Sequence, residues 1–326
     1  MTEETITFKS HKYDINVEEV EYHKAIEPGQ SWLTLNLYGS DVNIKFVNAL
    51  RRIATISVPS YAFPPEQIII DTNTTVAFNN DYMRLRLSLL PVLGVDSELY
   101  FLKEKYWYKI NYGDSKREKH ESEKTVEFYV TQHNNSANIM SVTTNDAMVY
   151  IDGEQIKPYN SEFPHLLIKL RPGDRFKCYM RAALGVGDRH IMWAGARNAF
   201  YDEIENNKKT TYKLTLEGNG QYNEYELLIR SCKFLIKKLT DLKRELENKI
   251  SLKEILPDKI IHFKLEKEDF TVGELLNYEF QDHTDIIASG NSKPDHLIKA
   301  ILIKITAASN VESPLPAMLE SIDNII

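Results

Sequence analysis

Cysteine is scarce in this sequence: its 326 residues hold only Cys178 and Cys232. With no C-x-x-C spacing they cannot build a thiolate zinc site, and they define no disulfide framework. Both fall in apolar-patterned segments, which suits buried small hydrophobes. So few thiols fit a reducing compartment such as cytoplasm or nucleus. Positive charge is short too, with 40 Lys and Arg against 47 Asp and Glu and a formal net charge of −7. A domain that grips nucleic acid alone usually carries a basic face, so strong direct nucleic-acid binding is not expected. No apolar run approaches the roughly 20 residues of a membrane span. The start, Met1-Thr2-Glu3-Glu4, lacks a basic region leading into an apolar run, so no signal peptide is expected.

Catalytic signatures are missing as well. There is no glycine-rich phosphate loop ending in Gly-Lys-Ser or Gly-Lys-Thr, and no His-Glu-x-x-His. The stretch ALGVGD (183–188) places two glycines after a strand, but the third glycine of a dinucleotide loop is absent and no helical pattern follows. Asp282, His283 and Asp285 admit two readings, a metal site or a solvated loop at a helix end. The adjacency of the first two favours the loop. No catalytic, cofactor or metal residue is assigned, and no activity of the isolated chain is expected.

What is present is an ordinary globular composition, 42% hydrophobic and 27% charged, in a chain long enough for two or three domains. In SWLTLNLYGSD (31–41), Leu33, Leu35 and Leu37 alternate with Trp32, Thr34, Asn36 and Tyr38, a strand with one apolar face. Asp41 or Asn43 can cap the helix that follows. Its Ile44, Val47, Leu50 and Ala54 recur at helical spacing, Pro59 ends it, and Arg51 and Arg52 flank the stripe. From residue 60 to 193 the pattern is mostly β, and 96–124 reads as a solvated hairpin tip or flexible loop. A charged stretch, 201–209, separates this region from a strand at 210–218. The clearest helix carries Leu228, Cys232, Leu235, Leu239, Leu242 and Leu246 at heptad-like spacing. It is expected to lie on its own sheet or to pair with another helix. After Pro257 come a strand with Ile261, Phe263 and Leu265 inward, then a helix with Val272, Leu275, Leu276 and Phe280. A β-prone run at 296–307 and a short closing helix follow. Strand, turn and helix therefore occur twice, at 33–54 and 260–280, a common unit that does not by itself establish a duplication.

The segment VNALRRIATISVPSYAF (47–63), with Asn48, Ala49, Leu50, Arg51 and Arg52 at its core, closely resembles the alpha motif of the alpha-like subunits of RNA polymerases. These are the third subunit of eukaryotic polymerase II, the archaeal D type and the bacterial alpha. IDTNTTV (70–76), then Tyr82, Arg86, Leu87, Leu89, Leu90 and Pro91, resemble further family segments. So do Leu170, Arg171, Gly173, Gly185, Gly187, His190 and Trp193. The last 70 or so residues are similar to a different member, the eleventh subunit of polymerase II or the archaeal L type, through DFTVGELLNYEF (269–280). Departures accompany the match. Leu85 and Ser88 replace a family histidine and glycine, Asn277 stands where arginine is usual, and the inserted stretch lacks a metal-holding cysteine set. The tandem arrangement resembles polymerases of large cytoplasmic DNA viruses, which implies the virion and host cytoplasm, with the nucleus as the alternative.

The resemblance implies an α+β fold of two alpha-like dimerisation modules paired within one chain, the first interrupted by a mostly β inserted domain. The expected boundaries are 15–59 with 194–250 for the first module, 60–193 for the insertion and 251–326 for the second, with 247–259 as linker. It implies a non-catalytic platform for the largest and second-largest polymerase subunits, with a small tenth-subunit-like partner and no homodimer. Asn48, Leu50, Arg51, Arg52, Arg86, Gly185, Gly187, His190, Trp193, Leu275 and Leu276 would form partner interfaces. Leu228, Leu235, Leu239 and Leu242 would line the internal pairing helix. Two roles stay open for Arg51 and Arg52, partner contact or internal salt bridges, and two compatible ones for the loop of Gly185, Gly187, His190 and Trp193, docking on the second-largest subunit and Trp193 as core anchor with His190 its hydrogen-bonded neighbour. The rival function is a free-standing β-rich interaction adaptor.

Overall fold

A computed structural model describes residues 7–9, 13–24, 31–110, 118–206, 209–252 and 257–326. Five α-helices, α1 (Ile44–Ile56), α2 (Asn80–Ser88), α3 (Glu224–Ser251), α4 (Phe270–Asp282) and α5 (Leu315–Ile325), accompany antiparallel sheets in a mixed α+β fold. The turn at Pro28-Gly29 lies outside the described residues, as do 114–117 of the charged loop and 253–256 of the expected linker.

The first sheet runs in the order Thr7–Lys9, Asn16–His23, Trp32–Tyr38, Lys209–Gly218, Ala196–Asn206. Leu33, Leu35 and Leu37 stand opposite Leu216, Leu214 and Tyr212, so both central strands send their apolar rows to one face. Helix α1 covers that face. Of its two candidate caps, Asn43 is used: Phe46 N donates to Asn43 Oδ1 at 2.9 Å, whereas Asp41 Oδ2 accepts from Asp14 N. Val47, Ala49, Leu50, Ile53 and Ala54 are buried.

The charged stretch expected as a separator at 201–209 is instead strand up to Asn206. Ala199 and Tyr201 pack on the core, while the charges line the sheet edge, where they discourage further strand pairing.

Residues 59–186 form a second unit. Its five-stranded sheet has the order Ile68–Asn73, Arg175–Arg181, Val126–His133, Ala147–Ile151, Glu154–Ile156. Two short ladders pair Leu166–Leu170 with Met140–Thr143, and Ala183–Val186 with Pro59–Ala62. Phe63, Phe128, Phe176, Met180 and Leu184 fill a core separate from the first, under Met83 and Leu87 of α2. The reading of 96–124 as solvated loop fails for its first part. Ser97, Leu102 and Tyr108 are buried, because Arg230 of α3 holds the Ser97 and Leu99 carbonyls, Leu102 joins the core of this unit and Tyr108 packs on Trp193.

The last unit is a three-stranded sheet, Ile260–Glu266, Ala300–Ala307, Ile286–Ser292, with α4 and α5 on the face lined by Ile301, Ile303 and Ile305. The strand expected over 296–307 begins only at Ala300. Helix α1 lies between the first sheet and α4, and α4 lies between α1 and this sheet. One continuous core therefore runs from Leu37 through Val47, Leu235, Leu276 and Ile303 to Ile322.

At 28 residues, α3 is roughly 42 Å long and touches both α1 and α5. Its buried seam is Leu227, Ser231, Leu235, Leu239 and Leu246. The expected stripe is thus one residue off at its start: Leu228, Cys232 and Leu242 are only partly buried. A straight 3.6-residue helix drifts away from a seven-residue repeat, and α3 also changes partner along its length. It runs to Ser251, so the first five residues of the expected linker are helix.

Candidate functional site

Of the residues singled out by sequence, Asn48, Leu50, Arg51, Arg52, Leu275 and Leu276 lie on the crossing helices α1 and α4, whereas Arg86 lies apart on α2. The two helices run antiparallel. At one end Asn43 Nδ2 reaches Glu279 Oε1 at 3.5 Å, and Lys45 Nζ meets Glu274 Oε2 at 2.5 Å. At the other, Arg52 Nε donates to Thr271 Oγ1 at 2.6 Å and its Nη2 to Asp269 Oδ2 at 3.1 Å. Arg52 thus forms an internal ion pair. Arg51 holds Asn48 Oδ1 at 2.9 and 3.1 Å. Leu50, Leu275 and Leu276 are buried within the chain, so their side chains serve its own packing.

The crossing has uneven electrostatics. The Lys45 ammonium holds the Glu274 carboxyl below its ordinary range, while burial, helped by Asp282 and Asp41, raises Glu279. Glu279 binds its proton more tightly folded than unfolded, so its charge costs stability at neutral pH. That cost fades as pH falls through its raised folded value. Glu274 has the opposite sign, adding stability above its unfolded value that is lost as pH falls through its folded one. Glu279→Gln, which keeps the acceptor for Asn43, is expected to raise the thermal midpoint near neutral pH. Melts recorded across acid pH should show this gain vanish; a gain independent of pH would refute the assignment.

The loop carrying Gly185, Gly187, His190 and Trp193 closes over the end of α1. Asp188 N donates to Ile56 O at 2.8 Å and Gly195 N to Thr55 O at 3.1 Å, satisfying carbonyls the helix leaves open. Gly187 permits this approach, since a Cβ there would lie 2.6 Å from Thr55 O. His190 is half-buried, and its Nδ1 accepts from Met192 N at 3.2 Å. Trp193 is fully buried and donates from Nε1 to Ala183 O at 2.9 Å, so of its two roles the chain uses it as a core anchor.

Sequence reasoning did not foresee a patch on α2. Tyr82, Leu85 and Leu89 are 47%, 58% and 56% exposed, an apolar stripe on the helix side opposite Met83 and Leu87. Arg86 is exposed beside it and donates to Leu166 O at 2.9 Å. A groove of 220 Å³ between Phe78, Met83, Arg86 and the strand at Leu166–Lys169 continues the patch. Its signal in the sequence is the leucine spacing on both sides of so short a helix.

Among the described residues no group of His, Cys, Asp and Glu could hold a metal ion. His283 Nε2 lies 3.4 Å from Glu320 Oε2 and its Nδ1 accepts from Asp285 N, so the ring closes a helix end. Burial pushes the Cys178 thiol up to about 12 and also raises Cys232, which keeps both protonated and unreactive. No helix among the described residues is long and apolar enough to cross a membrane.

No protein-family model matches the chain. Over 325 residues, 93% of this chain and 90% of its relative, it is 27% identical to a protein of Acanthamoeba polyphaga mimivirus named "Putative DNA directed RNA polymerase subunit". The chain is therefore a distant homologue, along nearly its whole length, of a viral protein that carries an RNA polymerase subunit name.

Proposed function

We propose that the chain is a non-catalytic scaffold subunit of a DNA-dependent RNA polymerase. In this reading 15–59 with 194–250, and 251–326, are two dimerisation modules joined in one polypeptide, and 60–193 is an insertion in the first. The observation that carries it is the antiparallel seating of α1 on α4. Side chains more than 200 residues apart in sequence meet there as Arg52–Asp269 and Lys45–Glu274, over one continuous core. Fusion makes the pairing intramolecular, so an effective concentration replaces that of a free partner subunit, and no homodimer is needed. The distant homology to a named polymerase subunit supports the polymerase context.

The partners are the largest and second-largest subunits, with a small tenth-subunit-like protein. The exposed faces available to them include the α2 stripe with Arg86 and the rim of the loop at His190. Gly185 and Trp193 support the His190 loop from within, while Leu275 and Leu276 lie in the core at the helix crossing. The test is affinity capture of the tagged chain from its native source, with mass determination of the intact complex. One copy recovered with both large subunits is expected. Recovery of the chain alone, or only of proteins unrelated to transcription, would leave the adaptor reading in its place.

A further inference from the structure

Residues 97–107 run between the β unit and the helix junction with only a single helical turn, Glu104–Tyr106, of regular structure, Leu102 buried in the β unit's core and Leu99, Tyr106 and Trp107 packed against it. Beyond that packing, two other parts of the chain hold this segment. The first is α3, where Arg230, its side chain only 9% exposed, donates from Nη1 to Leu99 O at 2.7 Å and from Nη2 to Ser97 O. That guanidinium is itself fixed over the Tyr222 ring at 4.3 Å and bonded to Glu226. Farther along α3, the Phe234 ring meets Phe101 at 5.5 Å. A planar fork gripping two main-chain carbonyls, with its charge balanced by its own helix, is a directional hold.

The second hold comes from the loop at Arg189 together with the C-terminal unit. Glu104 accepts from Arg189 at 2.9 Å and pairs with Lys267 at 2.9 Å. Lys267 occupies the turn between the strand Ile260–Glu266 and α4, at φ +63°, a conformation side-chain-bearing residues seldom adopt. Its N–H donates to Lys299 O at 2.8 Å, and Lys299 in turn pairs with Asp188 at 2.8 Å. Two residues beyond Lys267, Asp269 receives Arg52 of α1. The position of Lys267 is thereby tied to the seating of α4 on α1. A cleft of 270 Å³ remains beneath the segment, floored by Ile53, Phe101, Trp107, Phe234 and Val272, side chains drawn from all three units.

We propose that residues 97–107 are a strap that registers the pairing of α1 with α4, fixing the β unit, and with it the α2 face, only when the two halves have joined. The inference rests on the proposed scaffold role for its purpose, but its mechanics are tested independently of it. The experiment is hydrogen exchange by mass spectrometry on the full chain carrying Lys267→Met or Glu104→Gln, with Lys105→Met as control. Lys105 pairs instead with Glu118 at 2.7 Å.

Exchange in 97–107 is expected to quicken about threefold in the first two variants and to stay unchanged in the control. Wild-type exchange in Lys267→Met would overturn the proposal, since the strap would then answer to the β unit, α3 and Arg189 alone. Equal quickening in the control would overturn it too, by showing that any lost surface charge loosens the segment. Failure to recover polymerase subunits in the capture experiment would remove the scaffold role and leave the strap result standing.

Discussion

Trp193→Ala is expected to cost about 3–5 kcal/mol of folding stability, the usual penalty for deleting a fully buried large aromatic. The indole is enclosed by Ala62, Tyr108 and Ala183, and the Ser60 hydroxyl donates to the main-chain carbonyl of Trp193 at 2.7 Å. Loss of the indole would also remove the hydrogen bond from Nε1 to the Ala183 carbonyl. The more discriminating experiment is a cycle with Gly185. A Cβ on Gly185 would sit 2.6 Å from both Cδ2 and Cε2 of the indole, closer than atoms can approach. Gly185→Ala should therefore cost about 1–3 kcal/mol through overpacking. In a Trp193→Leu background the fused ring is gone, and the same substitution should cost at least about 1 kcal/mol less. Urea unfolding of the four proteins measures the coupling. Additive penalties would show that something other than the indole excludes a side chain at 185.

Much of the architecture was legible because local rules coincide with tertiary ones. The alternation of Leu33, Leu35 and Leu37 survives as a buried row, and the i, i+3, i+4 spacing from Val47 to Ala54 survives as the core face of α1. What sequence reasoning missed has no local signature. Residues 201–206 look like a solvated run because an edge strand buries only one row and uses its charges to stay an edge. Residues 97–108 look like a loop because they are irregular, yet one of the groups that hold them, Arg230, lies 131 residues from Leu99 in sequence. The same distance problem applies at the helix crossing. Arg51 and Arg52 read as equivalent neighbours, but a turn of about 100° separates them on a helix. Arg52 faces Asp269 while Arg51 folds back on Asn48. Asn43 was an evident cap, but nothing near it announces Glu279.

The paired substitution Leu85→Glu with Leu89→Glu should separate folding from assembly. Both side chains are more than half exposed, so the change should alter folding stability by only about 0.5 kcal/mol per site. Bound to a partner, the stripe would be buried, and each leucine, little more than half exposed beforehand, would contribute about 1–2 kcal/mol. Introducing two carboxylates there removes that gain and adds a desolvation cost. Capture of the large polymerase subunits should then weaken by about a hundredfold or more, while the melting profile stays near that of the unmodified chain. Ile139→Glu, at an exposed isoleucine on the turn before the strand Met140–Thr143, is the matched control and should leave capture intact. Met83 and Leu87 are unsuitable probes, because they are buried in the β unit's core and their loss would unfold it. Full capture by the double variant would exclude the α2 face as a docking surface. Loss of capture in the Ile139 control would show that added negative charge, and not the lost leucines, accounts for the effect. The proposed assignment requires the stripe to matter through its apolar area, because Arg86 is already engaged with the Leu166 carbonyl and α2 offers the partner little other fixed charge beyond the Asp81–Arg84 pair.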